Sequence, residues 1–433
     1  MAFVHCASDE CAKSKLDVFQ LSPTQTSIEK SYDVEVPPLT ALSENAPLEF
    51  SIARNDQYLD LNNTLLYLSC KINKNDGTNL ATDSRVALVN YPIASLFSQV
   101  DITVRDRLIS QSNDCYPYRA FIETVLNYGD ETLKTQFSAG LFYKDTPGHH
   151  EATALDGPNL GFNKRAAYTS RSHRVDLLGH IHADLFFQEK ILMNGVDVKI
   201  KLVRNKDDFC LMSNGDQFTV NILSASLFVK RVQVNPAVRL GHAEALMTSN
   251  AKYPIDRVQM KVFSIPTGSR VCNQENLFLG QLPKLVVLGF VDNAAFSCNF
   301  THKPFNFKLN NINFMALYLD GEQIPSKPLQ PDFANGHCVR EYFQLVETAD
   351  KRMKDKALLV DREEFAKGYS VFTFNLSPDM ESTGHDSLIK TGKHRAEIRF
   401  AQPLQDTVNM IVYAVCDNII EINMRWQVIY DYS

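Results

Sequence analysis

The sequence predicts an all-β chain of two tandem β-sandwiches with short helices in the loops, and three observations carry that prediction. Apolar and polar residues alternate at strand period over most of the chain, and turn residues separate these short runs. A whole supersecondary pattern also occurs twice. The first copy is Phe97-Ser-Gln-Val-Asp-Ile-Thr-Val-Arg-Asp-Arg-Leu-Ile109, followed by Tyr118-Arg119-Ala-Phe121-Ile122-Glu-Thr-Val125. The second is Asn313-Phe-Met-Ala-Leu-Tyr-Leu-Asp-Gly-Glu-Gln-Ile324, followed by Val339-Arg340-Glu-Tyr342-Phe343-Gln-Leu-Val346. In each, a strand pair closing on isoleucine leads into the spacing Arg, any residue, aromatic, apolar, two others, Val. A third match, Val196-Asp-Val-Lys-Ile200 against Ala396-Glu-Ile-Arg-Phe400, keeps the same order later in each half. Ordered matches with loops of different length between them are the mark of a duplicated domain.

Residues 1–47 lack a sustained period, contain Pro37-Pro38 and carry three lysines against seven acids, which reads as an acidic extended arm suited to docking on protein. The first domain is expected over 48–235, with strands at 66–72, 100–104, 196–202 and 218–229. Its one helix is expected over 118–128, where Phe121, Ile122, Val125 and Leu126 share a face. The stretch 129–172 holds Thr146-Pro-Gly-His and Asp156-Gly-Pro-Asn and reads as a long surface loop carrying short elements of its own. Asn235-Pro236 is a cap-and-start pair for a connector helix over 236–250. The second domain is expected over 251–433, with strands at 258–265, 284–291, 312–319, 370–375, 396–400, 408–415 and 426–430, so that the chain ends in or just after a strand. Asp320-Gly321 is a type I′ hairpin dipeptide; Arg105-Asp106, at the matching place in the first copy, departs from that chemistry.

With 433 residues, 44% hydrophobic and 22% charged, the chain has the composition of well-packed domains. Its net charge of −6 and the absence of a basic cluster argue against a general polyanion binder. The nine cysteines (Cys6, Cys11, Cys70, Cys115, Cys210, Cys272, Cys298, Cys338, Cys416) stand singly, odd in number and without a Cys-x-x-Cys pair, as expected of reduced thiols in a reducing compartment. The first residues do not read as a signal peptide. The longest apolar run, Leu285–Val291, is far below the roughly 20 residues of a membrane helix. The sequons at Asn62, Asn299 and Asn375 are then chance matches.

No phosphate-binding Gly loop, Gly-x-Ser-x-Gly or His-Glu-x-x-His is present. His180-Ile-His182 with Asp184 is the best remaining constellation: at strand spacing two imidazoles share a face and could join the carboxylate around a metal, against the simpler reading of a polar strand face or a satisfied pair. His149-His150-Glu151 reads as solvated loop. Asp207-Asp208, Glu363-Glu364 and Glu341 with Asp350 are carboxylate pairs of glycosidase type, but the chain has 50 acids and its single tryptophan, Trp426, is little for a carbohydrate platform. No cysteine is singled out as a nucleophile. The expectation is therefore a protein without catalytic, cofactor-binding or metal-binding residues and without a cofactor; the alternative is a tandem sandwich that binds or cleaves glycans.

Several strings point further. Leu96-Phe-Ser-Gln-Val-Asp-Ile102 with Tyr116-Pro-Tyr-Arg-Ala-Phe-Ile-Glu-Thr-Val-Leu-Asn-Tyr-Gly129 resembles the hexon-like major capsid protein of Polinton/Maverick elements and adinto-type viruses. So do 185–200, Asn276–Pro283, Leu319–Pro331 and the ending Val428-Ile-Tyr-Asp-Tyr-Ser433. The resemblance implies a double jelly roll related in architecture to adenovirus hexon and to the capsid proteins of virophages and large DNA viruses. It also implies homotrimers whose six jelly rolls form a pseudo-hexagonal capsomer tiling an icosahedral shell, with a single jelly-roll penton protein and minor capsid proteins as partners. No sequence-specific nucleic-acid binding is implied, and the location would be the virion, after synthesis in the host cytoplasm. Loops such as 129–172 would rise as outer towers or clamp neighbouring subunits.

Overall fold

A computed structural model of the chain describes residues 7–430 apart from 9, 10, 12, 20, 43–45, 353, 379 and 381–387. Cys6, the arm acids Asp9, Glu10 and Glu44, and the last three residues of the Val428–Ser433 string lie outside the described residues. In the first half the strands are β1 (Ile28–Val36), β2 (Leu48–Ile52), β3 (Tyr58–Lys74), β4 (Val86–Leu88), β5 (Phe97–Val104), β6 (Arg107–Gln111), β7 (Val175–His180), β8 (Val198–Arg204), β9 (Leu211–Ser213) and β10 (Phe218–Val234). In the second they are β11 (Ala251–Ile265), β12 (Val271–Glu275), β13 (Leu285–Asp292), β14 (Ile312–Leu319), β15 (Glu322–Leu329), β16 (Val371–Asn375), β17 (His394–Phe400), β18 (Val408–Ile422) and β19 (Val428–Ile429).

The sheets run β1-β10-β3-β7 and β2-β8-β5-β6 in the first half, and β11-β18-β13-β16 and β12-β17-β14-β15 in the second. Setting aside the small β4-β9 sheet and β19, which pairs β18, the eight strands of each half are connected identically. The repeated sequence pattern falls on corresponding elements. β5 and β6 form a hairpin leading to the helix Tyr116–Asn127; β14 and β15 form one leading to the helix Val339–Thr348; β8 pairs β5 as β17 pairs β14. The two hairpin turns differ as their sequences do. Asp320 and Gly321 both have positive φ, 48° and 93°, whereas in the other only Arg105 does, at 53°.

Within the acidic arm the structure departs from the expected extended segment. Residues 28–36 form β1, hydrogen-bonded along β10 from Ile28↔Val234 to Val36↔Leu227. The alternation of half-buried Tyr32, Val34 and Val36 with exposed Asp33 and Glu35 allows this, because an edge strand needs only one apolar face. The connector helix runs Pro236–Leu246 from an Asn235 cap whose side chain accepts from the Ala237 N–H at 2.9 Å, and it buries no residue.

Burial explains the strand patterns. β3 alternates over 65–68 because its sheet covers core on one side there, with Leu66 and Leu68 inside and Leu65 and Tyr67 half-buried. β13 reads as a continuous apolar run because Val286 to Val291 are all buried, on both faces. Its second face is covered at Gly289 by the Phe307 ring, which in turn stacks on Phe121 of the first half.

Candidate functional site: the seam between the sandwiches

The helix Tyr116–Asn127 is buried from Tyr116 through Leu126. Its aromatic side brings Tyr118 and Phe121 against rings of the second half: Phe121 stacks on Phe305 with centroids 4.6 Å apart and on Phe307 at 5.6 Å, and Tyr118 stacks on Phe296 at 5.8 Å. Such pairs add about 0.5–1.5 kcal/mol each beyond the area they bury. Gly289 of β13 makes the close approach possible, since a Cβ there would lie 2.6 Å from the Phe307 ring.

On the same helix Arg119 is the hub of a buried polar network. Its Nε donates to Glu123 Oε1 at 2.8 Å, its Nη2 to Asp184 Oδ1 at 2.6 Å and its Nη1 to Ser110 Oγ at 3.3 Å. Asp184 also accepts from the Val258 N–H of β11 at 3.3 Å, so the network crosses the seam. Glu123 Oε2 lies 2.7 Å from His182 Nδ1, and His182 Nε2 lies 2.9 Å from the Tyr91 hydroxyl. An ionised carboxylate can only accept, which places a proton on Nδ1. Burial opposes the charge on both carboxylates; for Glu123 the Arg119 guanidinium and His182 outweigh it and the pKa falls, whereas for Asp184 burial wins and the pKa rises.

Residues 129–172, expected as a surface loop with short elements of its own, are partly exposed and partly buried. They carry the helices Asp130–Lys134 and Leu160–Thr169 and wedge against the second half. Asp145, buried, accepts from Arg165 Nη2 at 2.6 Å and pairs with Lys303 Nζ at 2.9 Å, while its backbone carbonyl accepts from the Tyr369 hydroxyl at 2.7 Å. Lys144 Nζ reaches Glu364 at 2.5 Å, and Gly148 N–H donates to the Lys367 carbonyl at 2.9 Å. His150, expected to be solvated, is 3% exposed: its ring lies 4.9 Å from that of Tyr369, over Gly368, where φ of 107° and the absence of a Cβ make room. Burial, reinforced by the Lys303 and Arg165 charges and only partly opposed by Asp145, lowers the His150 pKa to about 4. Burial and Arg165 also lower Lys303 to about 7, against the pull of Asp145.

The other sequence candidates are engaged elsewhere. His180 ends β7 and is exposed, so it does not join His182 and Asp184 inside, and the three do not form a ligand set. Among the described residues no group of three or more His, Cys, Asp or Glu could hold a metal ion. Asp207 lies beside Arg204 at 3.4 Å, Glu364 closes a capping box with Asp361, Glu341 is buried in the first turn of the helix Val339–Thr348, and Asp350 pairs with Lys354. Trp426 packs on Gly195, and its carbonyl accepts from Arg105. Burial pushes the thiols of Cys70 and Cys115 up to about 12, far from a nucleophilic thiolate. Sequence reading missed Asp145, Arg165, Lys303 and Tyr369, which carry no local motif and meet only in the fold.

Two sandwiches of this shared connectivity in one chain define the double jelly-roll class. The chain is similar over nearly its whole length to a chain of the Sputnik virophage structure, with a TM-score of 0.66 and 13% identity, covering 98% of this chain and 94% of that one. It is likewise similar to the Faustovirus major capsid protein (TM-score 0.60, 8% identity, 94% of this chain and 92% of that one). The mavirus major capsid protein matches with a TM-score of 0.58 and 11% identity, over 100% of this chain and 97% of that one. In sequence the chain is 26% identical over 424 residues to an uncharacterised Caenorhabditis elegans protein, covering 94% of this chain and 99% of that one. No family model matches.

Proposed function

We propose that this chain is a hexon-like major capsid protein that assembles into pseudo-hexagonal homotrimers tiling an icosahedral shell, without catalysis. One observation carries the reading: the same eight-strand connectivity is used twice in one chain, and fold similarity to major capsid proteins extends over both halves. Three copies of a two-sandwich chain present six similar sides, so such particles pack on a hexagonal lattice while each copy keeps one kind of neighbour. The domain division that goes with it is an arm over 1–47, sandwiches over 48–235 and 251–433, and the connector 236–250, with β1 of the arm completing the first sandwich. The resemblance to Polinton/Maverick and adinto-type capsid proteins supports reading it as a member of that lineage; its partners are then its own copies, a single jelly-roll penton protein and minor capsid proteins, in a virion assembled in the host cell.

Light scattering on the purified chain at micromolar concentration tests this. A mass of three chains, with hexagonal particles in electron micrographs, is the expected result; a stable monomer overturns it.

A further inference from the structure

Each sandwich has two sides, and the seam uses one of each. On the second sandwich the outer face of β11-β18-β13-β16 is closed. Val258, Val287, Thr373 and Tyr413 on that face are all buried; the Val258 N–H is held by Asp184, Tyr413 sits in the field of Glu123 and Arg119, and Phe307 covers Gly289. On the first sandwich the matching outer face of β1-β10-β3-β7 is open. Leu65, Tyr67, Leu178 and Phe228 are only half-buried there. Beside them is a hollow of about 380 Å³ lined mainly by Leu65, Tyr91, Tyr128, Phe137, Leu178 and Gly179.

The element that closes the seam is duplicated as well. In the first half Tyr118, Phe121 and Ile122 are 1%, 1% and 0% exposed on the helix Tyr116–Asn127, and Tyr118 and Phe121 stack on rings of the second half. The repeat places Val339, Tyr342 and Phe343 at the matching positions of the helix Val339–Thr348. There Val339 is 45% and Phe343 46% exposed, while Tyr342 packs on Phe365 within its own half. An apolar knob on one half and an unfilled apolar hollow on the other, at places that meet in the duplicated arrangement, make a head-to-tail contact between copies.

We propose that the helix Val339–Thr348 of one copy docks on the outer face of β1-β10-β3-β7 of a second copy, with Phe343 entering the hollow by Leu65 and Leu178. The contact between chains thereby repeats the seam within the chain. This assignment rests on the capsomer reading and names the residues that make it.

The test compares the unaltered chain with Phe343→Asp, with Leu178→Asp, and with Leu240→Asp on the exposed connector helix as a control. Sedimentation at micromolar concentration is expected to show each of the first two as a monomer, its dissociation constant raised at least about a hundredfold as for an interface hot spot. The control should assemble like the unaltered chain. Circular dichroism verifies that each variant is folded. Mixing the two monomeric variants should yield a 1:1 dimer, because each retains the half of the contact that the other lacks. If the unaltered chain is monomeric, the capsomer reading fails and this inference with it. If it assembles and Phe343→Asp assembles equally well, the docking assignment alone is overturned. Should Leu178→Asp fail to fold, hydrogen exchange on the unaltered chain supplies the second measurement: amides of 339–348 and of β7 must gain exchange on dilution to monomer, and unchanged exchange refutes the contact.

Discussion

Arg119 shows how far a residue's role depends on what surrounds it. Its counterpart in the repeat, Arg340, is exposed and donates to the carbonyls of Pro328 at 2.8 Å and Lys327 at 2.6 Å. Arg119 is 1% exposed and neutralises two buried carboxylates. Arg119→Met leaves Glu123 and Asp184 uncompensated and is expected to cost about 3–5 kcal/mol in denaturant unfolding, whereas Arg340→Met costs under about 1 kcal/mol. Equal effects would show that the two positions are not differentiated as described. His150 adds a pH dependence. Its folded pKa of about 4 lies below the ordinary value of 6.5, so between those values the unfolded chain takes up a proton that the folded chain refuses. Stability is therefore present above pH 6.5 and is lost as pH falls toward 4, by at most about 3 kcal/mol. Asp145, held well below the usual carboxylate range because Arg165 and Lys303 outweigh the effect of burial, acts in the same direction at lower pH. Melting curves across this window should flatten for His150→Phe, and an unchanged slope would exclude His150 as the cause.

At the scale of elements, what the sequence made legible was whatever is written locally. Most expected strands fall within observed ones, from 66–72 inside β3 to 408–415 inside β18, because alternation records one buried face. The hairpin-helix repeat was legible for the same reason. The role of 129–172 was not, because Asp145 and His150 find their partners at Lys303, Gly368 and Tyr369, and no local period records such pairings. β13 falls between these cases: a continuous apolar run is compatible with burial on both faces but does not say what covers the second. Gly289 is the position where that cover is most sensitive. Its backbone needs no special φ, yet Gly289→Ala drives a methyl to 2.6 Å from Phe307 and forces that ring off Phe121. The expected cost is about 1–3 kcal/mol of overpacking, with altered aromatic circular dichroism. A neutral result would mean that the ring has room to retreat and that the seam is looser than its geometry implies.

For the whole molecule the question is what makes two sandwiches one body. The connector helix buries no residue, and it touches the sandwiches only lightly, with His242 Nδ1 2.9 Å from the Tyr58 hydroxyl and Leu246 partly buried on the core. The seam does the bracing, by aromatic stacking at Phe121, by the Arg119–Asp184–Val258 bridge and by the Asp145–Lys303 pair, and one apolar core runs through both halves. Intrachain domain interfaces that are small and polar allow relative motion; a large apolar one does not. A protease site built at Gly241, where a Cβ meets nothing within 4 Å, separates these contributions. After complete cleavage the two halves are expected to migrate together in gel filtration and to unfold in a single denaturant transition, because removing a tether leaves the seam in place. If cleavage releases them as separate particles, the seam is weaker than the chain entropy it must overcome, and the connector, not the buried contact, holds the double sandwich together.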